Sequence, residues 1–267
     1  MRPVALTIAG SDPSGGAGIQ ADLKTFHQFG VYGESVLTLL TVQNTMRVDR
    51  IECLEAEFVM EQLHALLEDI PPAAAKTGAL GNVAIVEAIA AAATEFSFPL
   101  VVDPVMIGKH GAPLVSADAR AAIAGSLMPR AALVTPNLHE ATALSGVEIR
   151  DVAGMRAAAL RLRQMGAQSV LVKGGHLAGI ATDVLLDGED WYEFPAPRIE
   201  TIHTHGTGCA LSAAITAELA AGSAIPNAVA RAKAFIWEAI RTSPGLGRGC
   251  GPVNHHAMVA RQAGLGT

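Results

Sequence analysis

Residues 203–215 read His-Thr-His-Gly-Thr-Gly-Cys-Ala-Leu-Ser-Ala-Ala-Ile, a glycine-containing loop that runs directly into small apolar residues. The apolar run has the composition of a packed helix, so the loop is expected to end at a helix start. Backbone N–H groups there have no acceptor within the helix, and the helix dipole adds about half a positive charge. Gly206 and Gly208 allow a ligand to approach the backbone closely. The stretch predicts an anion site that suits phosphate, with a simple tight turn as the alternative.

Cys209 closes this loop within one turn of the predicted anion site. A helix start favours the thiolate, so the pKa of Cys209 is expected to be lowered and its sulfur to be able to accept a proton. Zinc binding by His203, His205 and Cys209 is disfavoured because no fourth ligand lies nearby in the sequence. The other two cysteines, Cys53 and Cys250, form no Cys-x-x-Cys pair, and no disulfide is expected.

Outward from this loop, short apolar runs alternate with amphipathic ones along the whole chain. The predicted strands are 4–9, 35–42, 48–54, 74–78, 100–103, 133–135 and 169–172, then an antiparallel pair at 183–186 and 191–194. The predicted helices are 19–29, 57–69, 82–94, 116–127, 152–165 and 226–241, one that opens at Asn137, and one from the loop to about Ala221. Such alternation predicts a single α/β domain over residues 1–267, with a mostly parallel sheet covered by helices on both faces.

Composition limits the classes of partner. The formal net charge is −6, aromatic residues make up 4% and no lysine/arginine run occurs, so no nucleic-acid partner is expected. The apolar run at the N-terminus is too short for a signal peptide, and no run reaches the roughly 18 residues of a membrane span. A cytoplasmic protein with a small-molecule substrate and no membrane partner is therefore expected.

A second glycine loop follows the first predicted strand. Residues 16–21, Gly-Ala-Gly-Ile-Gln-Ala, fit the spacing of a dinucleotide-binding fingerprint. However, residues 11–15 separate the strand from the first glycine, and the next strand ends in Gln43 rather than in an acidic residue that could bind a ribose hydroxyl. The loop is better explained as a wrap around a small substrate.

Polar residues stand at the ends of several predicted parallel strands, where ligands bind in open α/β sheets. Asp103 either belongs to such a site or caps the turn before Pro104. Asn137 and Glu140 have the spacing of a capping box, and they could equally place a carboxylate and an amide near Mg²⁺ and phosphates. Lys173 would be a costly buried charge unless an anion pairs with it.

Taken in order, these motifs resemble the hydroxymethylpyrimidine/phosphomethylpyrimidine kinases of thiamine biosynthesis, a branch of the ribokinase-like family. The resemblance rests on residues 5–25, Val42-Gln43-Asn44-Thr45, residues 102–106, Thr135-Pro136-Asn137-Leu138-His139-Glu140-Ala141, Lys173-Gly174-Gly175-His176 and residues 204–209. It implies a ribokinase-like three-layer sandwich and an ATP-dependent kinase that phosphorylates 4-amino-5-hydroxymethyl-2-methylpyrimidine and then its monophosphate. It also implies Mg²⁺ as cofactor and a homodimer.

The resemblance further implies a role for each matched residue. Cys209 would be the base, and Gly206, Thr207 and Gly208 would form the anion hole beside it. The implied substrate wall comprises Gly16, Ala17, Gly18, Asp22, Gln43, Ala79 and Val105. The implied ATP-binding residues are Asp103, Asn137, Glu140, Lys173, Thr207 and Lys233, with Glu140 also positioning Mg²⁺.

Two departures from the pattern keep other functions open. His203 stands where many relatives have asparagine, and Thr77 and Ala79 are smaller than the residues often found there. A roomier wall could admit pyridoxal, which makes a pyridoxal kinase of the same fold the alternative. A pyrimidine sensor that has lost phosphate transfer is a third hypothesis, which the retained Cys209 and Glu140 argue against.

Overall fold

The computed structural model describes residues 2–108, 111, 114–175, 177 and 179–258, so His176 of the motif Lys173-Gly174-Gly175-His176 lies outside the described residues. Within these residues the strands are β1 Val4–Ser11, β2 Tyr32–Gln43, β3 Val48–Cys53, β4 Ala74–Thr77, β5 Leu100–Val102, β6 Leu133–Val134, β7 Ser169–Val172, β8 Asp183–Asp187 and β9 Asp190–Phe194. The α-helices are α1 Gly18–Gln28, α2 Ala56–Asp69, α3 Val83–Ala92, α4 Ala117–Ala122, α5 Leu138–Ser145, α6 Val152–Gln164, α7 Thr207–Ala220 and α8 Ile225–Arg241.

The strands form one sheet in the order β3-β2-β1-β4-β5-β6-β7-β8-β9. The six strands β2, β1, β4, β5, β6 and β7 are parallel to one another, whereas β3 pairs antiparallel with β2, β8 with β7 and β9 with β8. Both the mostly parallel α/β sheet and the antiparallel pair near residue 190 are therefore confirmed.

Alternation along the strands divides the core into two layers. In β1, Leu6 and Ile8 join the cluster beneath α2 to α6, while Ala5 faces the opposite cluster with α1 and α7. Helix α7 is buried almost all round because it lies centrally on that second face, with α8 packed beside it. Successive side chains along a strand point to opposite faces of the sheet and pack against the two helical layers, as a three-layer sandwich requires.

One predicted helix is broken. The run 116–127 is α-helical only over α4, after which Ile123–Leu127 forms a π-helical turn and Met128–Arg130 a 3-10 turn. Pro129 has no N–H to continue the α-helical pattern and its ring would clash with the carbonyl of Gly125, which explains the change of winding. None of the helices within the described residues is long and apolar enough to cross a membrane.

The topology brings the loops of interest to one edge. Strands β1, β4, β5, β6 and β7 are parallel, so the segments after their carboxyl ends lie side by side, and α7 begins above them. β2 and β4 lie on opposite sides of β1, so the chain changes the direction in which it crosses the sheet at β1. Open α/β sheets bind ligands at such a point.

Candidate active site

The start of α7 is a turn that only glycine allows. Gly206 precedes the helix with φ of 79°, in the left-handed region, and a Cβ on it would lie 1.7 Å from the carbonyl oxygen of Gly16. The Thr207 hydroxyl donates to the Thr204 carbonyl at 2.8 Å, which fixes the turn. Gly208 and Cys209 line a cavity from the first helical turn, where the helix supplies no acceptors for N–H groups. The structure therefore has the glycine turn and the helix start predicted from residues 203–215, and we call this turn the anion cradle, whose binding of an anion stays a prediction.

Lys173 and Asp103 form an ion pair beside this cradle. Nζ of Lys173 lies 3.0 Å from Oδ1 of Asp103, whose side chain is only 1% exposed. Asp103 also accepts hydrogen bonds from Ser212 at 3.1 Å and Thr135 at 3.3 Å. Its carboxylate binds side chains from three other elements, so it holds the site together rather than capping the turn before Pro104.

The lysine ammonium is directed at the start of α7. A Cβ built on Gly208 would lie 3.4 Å from Nζ of Lys173. Burial alone would lower the pKa of Lys173, but the Asp103 and Glu140 carboxylates outweigh it and raise the pKa. The Lys173 ammonium, which the sequence analysis expected to need an anion, is thus stabilised by the carboxylates of Asp103 and Glu140. It remains positively charged beside the cradle.

Asn137 and Glu140 form the predicted capping box at the start of α5. The Asn137 side chain accepts from the Glu140 N–H at 3.0 Å, and Oε2 of Glu140 accepts from the Asn137 N–H at 2.8 Å. Burial raises the pKa of Glu140 to about 7, partly offset by Lys173 and reinforced by Asp103. Both residues also line the cavity, so the capping role and a ligand role are compatible.

The lowered pKa expected for Cys209 is wrong. Burial raises the pKa of its thiol to about 12, although the nearby Lys76 ammonium and a Gly18 backbone hydrogen bond favour the thiolate. The helix start was expected to dominate, but the surrounding protein desolvates the thiolate, and Asp22 and Asp103 add negative charge. Cys209 is therefore a thiol in the free protein.

Lys76 and Asp22 form a second, fully buried ion pair under the cavity floor. Nζ of Lys76 lies 2.9 Å from both carboxylate oxygens of Asp22, both side chains are 0% exposed, and the Thr7 hydroxyl donates to Asp22 at 2.6 Å. Burial lowers the pKa of Lys76, but the charge of Asp22 outweighs it and the pKa is raised. Asp22 thus lies in the predicted substrate wall, and both of its carboxylate oxygens already accept hydrogen bonds from protein groups.

The other predicted wall residues come together with one exception. Ala17, Gly18, Gln43, Ala79 and Val105 line the same cavity as the anion cradle. Gly16 is not part of the cavity lining. It packs against His205 instead, because a Cβ on Gly16 would lie 2.5 Å from Cδ2 of the His205 ring.

Lys233, on α8, lines the cavity beside β8, whereas Gln43 ends β2, towards the opposite edge of the sheet. Nζ of Lys233 is 2.8 Å from Oδ2 of Asp183 and donates to the Ala181 carbonyl at 3.0 Å. The neighbouring lining is mixed aromatic and aliphatic, with Trp237 and Ile236. The cavity as a whole encloses about 650 Å³, enough for two small ligands placed end to end.

Three residues of the site were not identified from the sequence. Asp12 and His205 line the cavity and are joined at 2.7 Å, and Lys76 lies beneath it. The signal for Lys76 was a cation inside a strand of small apolar residues, which requires a buried anion elsewhere. The signal for Asp12 was an aspartate between a strand and a glycine loop, where carboxylates organise turns.

The carboxylates of the cavity bear on whether the site could hold Mg²⁺. The described residues contain no group of three or more His, Cys, Asp or Glu side chains able to hold a metal by themselves. Mg²⁺ in nucleotide sites commonly keeps several waters and is held by one or two carboxylates plus substrate phosphates. The buried carboxylate of Glu140 beside the cradle fits that mode of binding.

Comparisons with known proteins find phosphomethylpyrimidine kinases and a pyridoxal kinase of similar structure. The model of the phosphomethylpyrimidine kinase family matches residues 12–254. The hydroxymethylpyrimidine/phosphomethylpyrimidine kinase of Bacillus subtilis is 44% identical over 95% of each chain. A bifunctional thiamine biosynthesis protein of Geobacter sulfurreducens is 50% identical over 95% of this chain, which spans 52% of that protein's length. The solved ADP complex of Bacillus subtilis pyridoxal kinase is 40% identical, with a TM-score of 0.89, over 96% of this chain and 98% of that one.

Proposed function

Since the chain belongs to the phosphomethylpyrimidine kinase family, we propose that it transfers phosphate from ATP to 4-amino-5-hydroxymethyl-2-methylpyrimidine and then to the monophosphate, in thiamine biosynthesis. The observation that carries the proposal is one continuous cavity that runs from Gln43 past the cradle of Gly206 to Cys209 and on to Lys233. We assign the Gln43 end to the acceptor, the start of α7 to the transferring phosphate and the Lys233 end to the donor nucleotide.

The acceptor ring would occupy the end lined by Gln43, Ala79 and Val105. A glutamine amide donates and accepts at once, which matches the amino group and ring nitrogen of an aminopyrimidine edge. Ala17 and Gly18 would close over the ring, and the small Ala79 would leave space beside it. The hydroxymethyl group would then point towards the start of α7.

The transferring phosphate would lie on the Gly208 and Cys209 amides with the Lys173 ammonium beside it. Phosphoryl transfer requires alignment of the reacting oxygens and neutralisation of charge that is already in place before reaction. Asp103 positions Lys173 for this, since it holds the ammonium at 3.0 Å and is itself held by Ser212.

Proton transfer would fall to Cys209. The acceptor oxygen forms a bond to the γ-phosphorus, the bond from that phosphorus to the bridging oxygen breaks, and ADP leaves with the bridging oxygen. The hydroxymethyl proton goes to Sγ of the Cys209 thiolate. Because the pKa of Cys209 is about 12 in the free protein, the thiolate is a minor form that Lys76 helps to stabilise.

Glu140 and Asn137 would hold Mg²⁺ at the donor end, through water and nucleotide phosphates. When bound, the ion supplies positive charge to the phosphate oxygens. The Glu140 carboxyl would have to be ionised for this role, and its pKa of about 7 makes the fraction of ionised carboxylate change near neutrality.

Pyridoxal kinase is the second candidate function. A solved pyridoxal kinase superimposes over nearly the whole chain with a TM-score of 0.89. Pyridoxal also carries a hydroxymethyl group on an aromatic nitrogen ring, and Ala79 leaves space at the predicted ring site. The pyrimidine alcohol remains the leading substrate because of the family match.

ADP release from Mg-ATP tests these proposals. The purified protein is offered the pyrimidine alcohol, its monophosphate, pyridoxal and ribose in parallel, with EDTA as the metal-free control. Turnover of both pyrimidines with ribose inactive is expected. A pyridoxal rate above the pyrimidine rates would promote the second candidate, and no turnover of any acceptor would contradict the kinase assignment.

The family resemblance also leads us to propose a cytoplasmic homodimer. Light scattering on the purified protein measures the mass directly. A monomer mass near 27.5 kDa would contradict the dimer.

A further inference from the structure

Two loops that line the cavity meet in a direct contact. The acceptor loop, residues 11–18, follows β1, and the phosphate loop, residues 203–209, precedes α7. The backbone of Gly206 lies so close to the Gly16 carbonyl that no side chain fits between them. The position of one loop therefore depends on the other.

Asp12 organises the acceptor loop from below. Its Oδ1 accepts from both the backbone N–H and the hydroxyl of Ser14, at 2.8 and 2.7 Å. Its Oδ2 accepts from the backbone N–H groups of Gly16 at 3.2 Å and Ala17 at 2.8 Å. The same Oδ2 lies 2.7 Å from Nε2 of His205, in the phosphate loop. One carboxylate thus binds both loops.

The protonation of this contact follows from its surroundings. Burial alone would raise the pKa of Asp12, but hydrogen bonds from His205 and Ser14 outweigh it and lower the pKa to about 2. The carboxylate is ionised and can only accept, so Nε2 of His205 carries the hydrogen and donates it. The backbone of His205 is held as well, because its N–H donates to the Gly251 carbonyl and its carbonyl accepts from Val253.

We propose that the hydrogen bond from His205 to Asp12 is a latch that sets the acceptor loop in register with the phosphate loop. Asp12 and His205 are positioning residues: they align the acceptor oxygen with the anion cradle and act through the backbone of Ala17 and Gly206. The inference rests on the proposed function, since it assigns the two loops to acceptor and phosphate. Small displacements of reacting groups cost about 10²-fold in rate, so loss of the latch should be visible in turnover.

The test compares His205→Gln with His205→Leu. Both side chains approach the volume of histidine, but only glutamine keeps an N–H donor at a similar reach. His205→Gln is expected to keep turnover of the pyrimidine alcohol within about fivefold, whereas His205→Leu loses about 10²-fold in kcat, with ADP affinity unchanged in both. Equal turnover in the two variants would overturn the latch.

A double-mutant cycle and hydrogen exchange keep the test independent of the kinase assignment. Asp12→Asn combined with His205→Leu should be no slower than the worse single variant; additive losses would overturn the latch. Amide exchange in residues 11–18 should quicken in His205→Leu but not in His205→Gln, whichever acceptor the enzyme uses. Unchanged exchange would also overturn it. Exposed His256→Asn is the control for loss of a histidine near the site.

Discussion

Replacement of Cys209 by alanine is expected to separate the two phosphorylations. The alcohol must lose a proton as its oxygen attacks, whereas the monophosphate offers an oxygen that is already ionised, since the second pKa of a phosphate ester is about 6. A proton acceptor is therefore needed for the first step and not for the second.

The magnitude follows from the burial of the thiol. With a pKa of about 12, roughly one Cys209 in 10,000 is a thiolate at about pH 8, which corresponds to about 5 kcal/mol to ionise it. Enzymatic bases typically contribute about 10²–10⁴-fold. Cys209→Ala should lose that factor with the alcohol and less than about tenfold with the monophosphate.

The assay is ADP release with each acceptor, with calorimetric ADP binding as the check that the site is intact. In the wild type, turnover of the alcohol should rise about tenfold per unit from about pH 8 to 9.5, because the thiolate fraction rises that way below its pKa and Glu140 is already ionised. Turnover of the monophosphate should be flat there. Equal losses with both acceptors, or a flat profile for the alcohol, would refute Cys209 as the base.

Three further perturbations test other parts of the molecule. Gly206→Ala places a Cβ against the Gly16 carbonyl in a left-handed position, so kcat should fall at least about 10²-fold in steady-state assays, and near-normal turnover would contradict the cradle. Lys76→Met leaves Asp22 buried without a partner and should lower the free energy of unfolding in urea by about 3–5 kcal/mol, with Asp22→Asn in the same chain restoring part of it; no loss would contradict a charged pair. Burial raises the pKa of Glu34 to about 7, and neither of its oxygens has a hydrogen-bond partner among the residues that the structure describes. Its folded-state pKa lies above its unfolded value, so the stability from its protonated form is complete below about pH 4.5 and is lost as pH rises through about 7. Glu34→Gln should therefore stabilise the protein by about 1 kcal/mol at about pH 8 and have little effect at about pH 4, and the opposite pH trend would contradict this.

The sequence predicted what is decided locally. Strand and helix periods, the capping box of Asn137 and Glu140, and the glycine turn at Gly206 each depend on neighbours within a few residues. The strand ends that carry Asp103 and Lys173 then meet because parallel strands share an edge.

What the sequence did not predict depends on distant partners. The pKa of Cys209 is set by desolvation at the start of α7 and by the carboxylates of Asp22 and Asp103, which outweigh the helix start. The pairing of Lys76 with Asp22 joins β4 to α1 across 54 residues, and no local pattern selects it. The change of winding after α4 was predictable from Pro129, but helical periodicity up to that point concealed it.

The contact between Asp12 and His205 spans 193 residues of chain, which bears on how the enzyme is made. Contacts of long sequence separation form late, because closing a long loop costs entropy before the contact can return any stability. During synthesis the first glycine loop leaves the ribosome long before its partner exists. A nascent chain can assemble the strands from β1 to β7 and still have no phosphate cradle. Catalytic competence should therefore appear abruptly, once α7 and the later segment of Gly251 and Val253 have both docked, rather than in proportion to the structure already formed.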